Sequence, residues 1–377
     1  MRILHIIASI DLKCGGTSTV CRELAAAQGK AGHSVSIGAY GPDDDYAARS
    51  GVRYIELPMP GWPEPFFARG LRGRLARIVA DSDICHIHGM WEGLSYEGSL
   101  ACNGTGKPYV HSPHGMLDSW ALSVRRIKKQ AALALGFAKI PQHAAAILVS
   151  NLHEQDCIVR SGRNRRVELV PHGVNLAALD SGMLTESKAG SISVDSPYIL
   201  FLGRLHTVKG LGLLTRAFAR IASEFPEHKL ILAGPDGGDG PALVELIKAL
   251  NLKGRVLMPG PLWGDAKARA MNGAACFCLL SEHENFGLSL AEAMGCRCPV
   301  IASTECHFDD IVKAGAGLIV DRTTDAAASA MRTILQDPAA AAAMGLRGRQ
   351  LIESSFTWPA ISVRLTALFE QLLARGK

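Results

Sequence analysis

The residues best placed to do chemistry in this 377-residue chain are two glutamates, Glu284 and Glu292, eight positions apart. An apolar run over 275–280 precedes them and is typical of a buried strand, and a helical pattern opens at about Gly287. Loops after parallel strands gather at one edge of a sheet, so this segment is expected to overhang a ligand site. Glycine allows close backbone approach, and the free amides of a first helical turn suit a phosphate. The pattern predicts a site for a small ligand that carries hydroxyls and an anion.

A second segment, residues 203–210, repeats this order of strand, turn and helix after the apolar run 198–202. Arg204 and Lys209 bracket the turn. Arginine offers a planar fork of donors and lysine a point charge, a combination suited to a diphosphate. The alternative is two solvated cations on a loop.

Two segments of the first half end buried-strand patterns in the same way. Gly15 and Gly16 leave the first strand and enter a helix that Thr17 or Ser18 can cap. His114 follows the strand pattern 109–112. In isolation, a Gly-Gly pair is usually only a turn and a lone histidine is usually packed or capping.

The order of these parts is more specific than any one of them. The run Glu284-x-Phe286-Gly287-Leu288-x-x-x-Glu292, continued by Pro-Val-Ile-Ala at 299–302, resembles the E-x7-E signature of retaining glycosyltransferases of family four, of the bacterial polysaccharide type. The resemblance implies that Glu284 contacts hydroxyls of a donor sugar, that Glu292 holds the ribose, and that the backbone between them cradles the diphosphate.

The same resemblance extends to the other segments. It implies that Gly16 and the Gly-Arg-x-x-x-x-Lys-Gly motif at 203–210 face the donor phosphates, that His114 faces the donor sugar, and that the turn at 256–262 reads the base. The residues implied to act in catalysis are Glu284, His114, Arg204 and Lys209. The residues implied to bind the donor are Gly16, Gly203, Arg204, Lys209, Met258, Pro259, Leu262, Glu284, Asn285, Phe286, Gly287, Leu288 and Glu292. His88 is a candidate for the acceptor, whereas His86 is expected to be buried and neutral.

No metal site is expected. Asp81 and Asp83 form an Asp-x-Asp motif, but they precede a strand and so lie at its end away from the ligand edge. Cys276 and Cys278 alternate within a predicted strand, which favours core packing over a zinc site. We expect no cofactor, and a nucleotide sugar as co-substrate, UDP-linked rather than GDP-linked.

Apolar runs alternate with amphipathic helical stretches along the whole chain, which predicts an α/β fold with parallel sheets. The resemblance implies a GT-B fold, two doubly wound Rossmann-like domains facing each other across a cleft. We predict an acceptor-side domain over 1–175, a linker over 176–196, a nucleotide-sugar domain over 197–355, and a C-terminal helix within 356–377 that crosses back onto the first domain.

Composition narrows the class of protein. Hydrophobic residues make up 48% and charged residues 20%, and no apolar run reaches the length of a membrane span. The net charge of +5 lies in residues 1–175, which hold 20 Lys and Arg against 15 Asp and Glu. No basic stripe with aromatics points to nucleic acid. The positive charge of residues 1–175 suits a phosphate-rich acceptor or peripheral contact with an anionic membrane. Either partner would be contacted through the arginines of 69–77 or the basic run 125–129.

These observations predict a retaining hexosyltransferase that uses a nucleotide-diphosphate sugar. The expected acceptor is a saccharide of an exopolysaccharide, a lipopolysaccharide or a lipid-linked oligosaccharide. The ten cysteines within strand and helix patterns indicate reduced thiols and a cytoplasmic protein, with peripheral placement at the inner membrane face possible. A nucleotide-sugar epimerase or a sugar phosphorylase of the same architecture is the alternative, and a noncatalytic nucleotide-binding scaffold is a third reading.

Overall fold

A computed structural model of the protein describes residues 1–59, 71–184 and 196–375. The chain divides into two units, and it passes between them twice, after residue 173 and after residue 357. The first unit comprises Met1–Gly173 and Trp358–Lys377, and the second comprises Val174–Thr357.

The first unit is built on a sheet of seven parallel strands. They are β1 (Arg2–Ile6), β2 (Ser34–Tyr40), β3 (Arg53–Leu57), β4 (Ile84–His88), β5 (Tyr109–Ser112), β6 (Ala146–Val149) and β7 (Val167–Leu169). Their order across the sheet is β3-β2-β1-β4-β5-β6-β7. A strand covered on both faces usually reads as a continuous apolar run, as β6 does. Every residue of β4 and β5 is also buried, although these two strands carry His86, His88 and His111. The sheet order reverses direction between β1 and β4.

Helices connect these strands. They are α1 (Gly16–Lys30), α2 (Tyr46–Ser50), α3 (Arg72–Ala80), α4 (Gly93–Thr105), α5 (Ser119–Ser123), α6 (Arg126–Ala132), α7 (Lys139–His143) and α8 (Leu152–Arg160). A short π-helical turn, Leu133–Phe137, joins α6 to α7. The predicted strands were recovered with small shifts, except that β1 ends at Ile6 because the chain turns away from the sheet before Ile10.

The second unit holds a sheet of six parallel strands. They are β8 (Tyr198–Leu202), β9 (Lys229–Ala233), β10 (Val256–Gly260), β11 (Cys276–Leu279), β12 (Val300–Ser303) and β13 (Gly317–Val320). Their order is β10-β9-β8-β11-β12-β13, so this sheet reverses direction between β8 and β11. The predicted parallel α/β class is therefore confirmed for both halves of the chain.

The helices of the second unit are α9 (Leu176–Leu184), α10 (Leu211–Ile221), α11 (Gly240–Ala249), α12 (Gly264–Asn272), α13 (Leu288–Gly295), α14 (Asp310–Lys313), α15 (Thr324–Gln336) and α16 (Pro338–Ser355). The last helix, α17 (Trp358–Arg375), belongs to the first unit and packs against α1. Its apolar stripe is buried there, and Phe369 at its centre is fully covered.

The prediction of a linker over 176–196 was wrong for its first part. Residues 176–184 form α9, which packs against α12 in the second unit, and the remaining residues 185–195 lie outside the described chain. Leu179 is 5% exposed and packs in the hydrophobic core of the second unit. The Ser, Gly and Asp content suggested a break in structure, but tertiary packing of a few leucines overrides this weak propensity.

One of the arginines of 69–77, expected to face an acceptor or a membrane, has a partner within the fold. Arg69 lies outside the described residues, and Arg72 donates to both carboxylate oxygens of the fully buried Glu97, at 2.9 and 3.2 Å. Arg72 is therefore engaged in the fold rather than offered to a membrane. No helix in the described ranges has the length and apolar character needed to cross a membrane.

The Asp-x-Asp motif and the cysteine pairs have structural partners. Asp83 accepts hydrogen bonds from the backbone and guanidinium of Arg2, and these lower its pKa. Cys276 and Cys278 are buried in the core of the second unit, with their sulfur atoms 3.9 Å apart. These residues are accounted for by packing and by a surface ion pair.

Candidate functional site

The two loops that follow β8 and β11 lie next to each other, because these strands are neighbours at the point where the second sheet reverses direction. Crevices at such switch points, beyond the carboxyl ends of the strands, are where open α/β sheets bind ligands. The predicted residues of the 203–210 and 284–292 segments come from these two loops. Distant parts of the sequence are thereby brought to one edge.

The approach of these loops depends on Gly210. Its φ is +69°, and a Cβ at this position would lie 2.1 Å from the carbonyl oxygen of Leu280. The backbone amide of Glu282 donates to the carbonyl of Val208 at 2.7 Å, which joins the loops directly. Only glycine permits this contact, a constraint that the sequence pattern did not reveal.

Lys209 and Glu284 meet at this junction. Lys209 Nζ donates to Glu284 Oε2 at 2.5 Å, and the side chains are 19% and 16% exposed. The Ser281 hydroxyl donates to the same oxygen at 3.4 Å. The cation expected at a phosphate and the carboxylate expected at sugar hydroxyls therefore lie side by side.

Arg204 is placed differently. Its stem packs over Gly237, where a Cβ would lie 2.6 Å from Arg204 Cγ, and its side chain is exposed. Its guanidinium makes no ion pair or hydrogen bond to the residues that the structure describes. It is an available cation on the loop that leads to Lys209.

The turn before α13 has the predicted backbone form. Gly287 is left-handed, with φ 72° and ψ 54°, and no side chain caps the helix start at Leu288. Phe286 is 5% exposed and packs against Phe308, with ring centroids 5.2 Å apart, so its side chain anchors the turn. The first amides of α13 are thus free of a side-chain cap.

Glu292 lies one turn from the end of α13 and has a partner that the sequence analysis missed. Lys267 Nζ, on α12, donates to Glu292 Oε1 at 2.6 Å, and the side chains are 21% and 18% exposed. No sequence signal links these residues, which are 25 positions apart on different helices. The carboxylate expected at a ribose is therefore held by a lysine.

The segment expected to read the base lies farther along the sheet. Met258 and Pro259 belong to β10, the edge strand that lies two places from β8. Met258 is half-buried and Pro259 is exposed, whereas Leu262, after the strand, is 7% exposed. Gly234 links this strand to Gly203. Its amide donates to the carbonyl of Gly260 in β10 at 2.9 Å, and a Cβ on Gly234 would lie 1.8 Å from the Gly203 carbonyl oxygen. Asn285 is half-buried in the turn before α13.

In the first unit, the switch point lies between β1 and β4, and the predicted glycine loop follows β1. α1 begins at Gly16 after Gly15, whose φ is 100°, and no side chain caps it. The predicted cap by Thr17 or Ser18 was wrong, since no side chain caps the helix start and the Ser18 hydroxyl donates to the carbonyl of Ser9 at 2.8 Å. The amides of this helix start are free of a capping side chain.

Four side chains near this edge form a continuous hydrogen-bonded series, the histidine chain: Gln28, His5, His88 and His114. Gln28 Oε1 is 2.7 Å from His5 Nε2, His5 Nδ1 is 3.0 Å from His88 Nε2, and His88 Nδ1 is 3.0 Å from His114 Nε2. Gln28, His5 and His88 are at most 1% exposed, whereas His114 is partly exposed. His114 is thus the outlet of a buried polar chain.

The histidine chain has a direction. With the oxygen of Gln28 facing His5, His5 donates from Nε2 and accepts at Nδ1, and His88 repeats this pattern. His114 then carries its proton on Nε2 and presents Nδ1 as an acceptor. Burial lowers the pKa of His5 to about 4 and the pKa values of His88 and His114 well below 6.5, so the three imidazoles are neutral at pH 7.

Two sequence expectations are decided by this chain. The expectation that His88 faces an acceptor was wrong, because His88 is 1% exposed and both of its nitrogens are engaged by other histidines. His86 is buried, as expected, and burial lowers its pKa well below 6.5. Nitrogens of His5, His86 and His88 lie within 4.8 Å of one another, but the hydrogen bond between His5 and His88 already pairs two of them.

The turn that carries His114 is held by a buried carboxylate. Glu154 accepts from the backbone amide of Gly115 at 2.6 Å and from that of Ser150 at 2.8 Å, and it is 2% exposed. His114 itself has a φ of 52°, an uncommon value for a residue other than glycine. The signal for Glu154 was present as Asn151-x-x-Glu154, a capping-box spacing in which Asn151 caps α8.

Two protein-family models match this chain. The family model described as glycosyltransferase family 4 matches residues 14–178, and that described as glycosyl transferases group 1 matches residues 184–351. A D-inositol 3-phosphate glycosyltransferase of Kineococcus radiotolerans is 30% identical over 327 residues, which cover 80% of this chain and 74% of that protein.

Solved structures share the fold at lower identity. Sucrose-phosphate synthase from Thermosynechococcus elongatus has a TM-score of 0.78 at 23% identity, covering 99% of both chains. Anabaena HepE, solved in complex with UDP-glucose, has a TM-score of 0.79 at 17% identity, covering 98% of this chain and 100% of that one. Together, the two family matches, this relative and the two parallel sheets show that the chain belongs to glycosyltransferase family 4 and is a glycosyltransferase of the GT-B fold.

Proposed function

We propose that this glycosyltransferase retains anomeric configuration and moves a hexosyl unit from a nucleotide-diphosphate sugar to a saccharide acceptor. The observation that carries the proposal is the meeting of Lys209 and Glu284 at the switch point of the second sheet, beside the uncapped start of α13. In such a donor the phosphate is bonded to the anomeric carbon, and the sugar hydroxyls are carried by other carbons of the same ring. The Lys209 ammonium suits the phosphate, and the neighbouring Glu284 carboxylate suits the sugar hydroxyls.

In the proposed reaction, the bond between the anomeric carbon and the phosphate oxygen breaks, and a bond from the same face of that carbon to an acceptor hydroxyl forms. The proton of the hydroxyl passes to the departing phosphate oxygen. Lys209, Arg204 and the first amides of α13 neutralise the charge that develops on the diphosphate, while Glu284 orients the sugar. His114, through its Nδ1 acceptor, is proposed to hydrogen bond a sugar hydroxyl.

The nucleotide is proposed to be UDP. HepE was solved with UDP-glucose, and the turn at 256–262 stands at the same edge of the second sheet as Lys209. Glu292, oriented by Lys267, is proposed to accept hydrogen bonds from the ribose. The acceptor is proposed to be a growing or lipid-linked saccharide, and the D-inositol 3-phosphate relatives support an acceptor that bears phosphate.

The test is transfer with a panel of nucleotide sugars. Thermal shifts with UDP, GDP and ADP identify the nucleotide first, since a ligand at 100 times its Kd stabilises by about 2.7 kcal/mol. The matching sugar nucleotide is then incubated with saccharide acceptors, and the anomeric proton of the product is recorded by NMR. A product of inverted configuration, or nucleotide-sugar turnover that needs no acceptor, would contradict the proposal.

A further inference from the structure

A groove of about 450 Å³ opens on the surface of the first unit beside α6. The polar residues that line this basic groove are Ser119, Ser123, Arg126, Lys129, Gln130 and Arg163. Ser119 follows directly after the turn that carries His114 and the cap of α5 at Asp118. The groove therefore starts next to a segment already placed near the ligand edge of the first sheet.

The basic groove has cations on its walls and no carboxylate. The sequence holds no Asp or Glu between Asp118 and Glu154. These two flanking carboxylates are each 2% exposed, and they accept hydrogen bonds from the backbone of Ala121 and of Gly115 respectively. Neither lines the groove. The charge of Asp118 acts on Lys129, whereas Arg126 and Arg163 have no carboxylate on the groove walls.

Arg163 gives the clearest sign of an absent partner. Its Nε is buried and has no hydrogen-bond partner among the described residues, and burial lowers the pKa of the guanidinium. A buried N–H without a partner is costly, and such groups in native proteins are nearly always satisfied by protein, by ordered water or by a bound ion. An oxyanion in the groove would supply both an acceptor and a counter-charge.

The other two cations differ in how far they are engaged. Arg126 is exposed and makes no ion pair or hydrogen bond within the described chain. Lys129 donates to the carbonyl of Ala121 at 2.5 Å and lies 5.4 Å from the centroid of the Trp91 ring. Lys129 thus helps to hold α5 against α6, while Arg126 and Arg163 are available to a ligand.

We propose that the basic groove binds a phosphate group carried by the acceptor. Arg126 and Arg163 contribute planar donors that match phosphate oxygens, and the hydroxyls of Ser119 and Ser123 complete the polar lining. The assignment to the acceptor rests on the proposed function. The anion site itself rests only on the groove.

The direct test is calorimetric titration of the full-length protein with pyrophosphate, with UDP in excess to fill the nucleotide site. The test variant is Arg126→Gln with Arg163→Gln. The matched control is Arg125→Gln with Lys128→Gln, which removes the same charge from neighbouring residues that do not line the groove. We expect the test variant to bind pyrophosphate at least ~10-fold more weakly, since each charge-assisted hydrogen bond contributes about 1.5–3 kcal/mol.

The expected control result is affinity within about two-fold of the parent, because screening leaves only a small long-range effect of charge. Equal loss of pyrophosphate affinity in both double variants would show that binding depends only on net charge, and would overturn the proposal. Absence of pyrophosphate binding by the parent protein would also overturn it. Failure of UDP to bind would count against the proposed function alone, since the difference between the two double variants still reports on the groove. If the double variant unfolds, Arg126→Gln alone is used, because that side chain has no partner within the described chain.

A second arm separates an acceptor phosphate from a lipid headgroup. Cosedimentation with vesicles of phosphatidylglycerol and phosphatidylcholine is compared for the same two double variants. We expect equal vesicle binding by both, together with a raised KM for phosphate-bearing acceptors in the test variant only. Loss of vesicle binding in the test variant with unchanged pyrophosphate affinity would assign the groove to the membrane surface and overturn the proposal.

Discussion

Lys209 donates a hydrogen bond to Glu284 at the edge of the second sheet. Their 2.5 Å contact joins two side chains that are each about one-fifth exposed, so neither charge is deeply buried and neither is fully solvated. In a largely covered pair the cost of desolvating both charges offsets much of their attraction, so the pair is weak evidence for stability. We infer that the pair orients the two groups for a ligand rather than stabilising the fold.

The two glutamates should fail in different ways when neutralised. We expect Glu284→Gln to keep nucleotide affinity and lose transfer by about 10²-fold or more, because a positioning contact at the reacting sugar is lost. We expect Glu292→Gln to weaken nucleotide binding, because the ribose is common to donor and product. Calorimetry with the nucleotide and steady-state transfer rates measure the two effects.

Glu282→Gln is the matched control for these variants. It makes the same chemical change two residues before Glu284, on an exposed side chain whose residue contacts the first loop through its backbone. Unchanged turnover in Glu284→Gln would remove that residue from the site. Unchanged nucleotide affinity in Glu292→Gln would remove the ribose assignment.

The charge of the leaving diphosphate should be handled by side chains. We expect activity to survive exhaustive EDTA treatment, and Arg204→Ala and Lys209→Ala each to lose about 1.5–3 kcal/mol of nucleotide binding, the usual contribution of a charge-assisted contact. Lys248→Ala, an exposed lysine on α11 paired with Glu245, is the control. Loss of activity on chelation with rescue by manganese, while both alanine variants stay active, would show that a metal does this work.

At the scale of elements, Gly210 sets the distance between the loops after β8 and β11. We expect Gly210→Ala to destabilise by more than about 2 kcal/mol, because it adds a Cβ at 2.1 Å from the Leu280 carbonyl to a backbone that already has positive φ. Gly264→Ala separates the two causes, since its φ is +51° and its Cβ would meet nothing within 4 Å. Thermal and urea unfolding of both variants measures the difference, and equal losses would contradict a steric role for Gly210.

The histidine chain should impose one tautomer along its length. We expect His5, His88 and His114 to be protonated on Nε2, with Gln28→Leu removing the acceptor that sets this direction. The ¹⁵N shifts of the imidazole nitrogens distinguish the two tautomers directly. His143 serves as an internal control, because it lies outside the histidine chain and its Nδ1 is hydrogen-bonded to the side-chain amide of Asn103.

A change in the His114 shifts with the fold intact is the expected result of Gln28→Leu. Identical His114 shifts in both proteins would mean that its tautomer is set locally, and that the chain is only a packed cluster. Thermal unfolding alone would not separate these outcomes, because loss of any buried hydrogen bond destabilises.

At the scale of the whole molecule, stability should fall on mild acidification. Burial lowers the pKa of His5, His111 and His172 to about 4, whereas an unfolded histidine has a pKa near 6.5. The unfolded chain therefore binds protons first, and stability that is fully present above pH 6.5 is lost as pH falls from 6.5 towards 4. Each such histidine contributes a slope of at most about 1.4 kcal/mol per pH unit.

Hydrogen exchange at pH 7.5, 6.0 and 5.0 measures this effect and locates it. We expect protection to fall first in β1, β4 and β5, which carry His5, His88 and His111. His111→Asn should reduce the pH dependence by one histidine. A stability that is flat between pH 7.5 and 5.0 would show that these groups protonate without unfolding.

Much of the architecture was determined by the sequence alone. Strands of a parallel sheet are usually covered on both faces, so β6, β8 and β11 can be recognised as short apolar runs without knowledge of their neighbours. The loops after β8 and β11 could be predicted as ligand sites because their glycines, cations and carboxylates are local in sequence. The helix start at Gly287 was recovered for the same reason.

Only the tertiary structure decided which side chains meet. Lys267 with Glu292 and His5 with His88 are separated by 25 and 83 positions, and no local pattern encodes such pairs. The same holds for α9, predicted as linker, whose helical form depends on packing against α12. Local propensity and periodicity are properties of a few neighbouring residues, whereas partner choice and burial depend on strand order, and strand order is set by the energy of the whole packed chain.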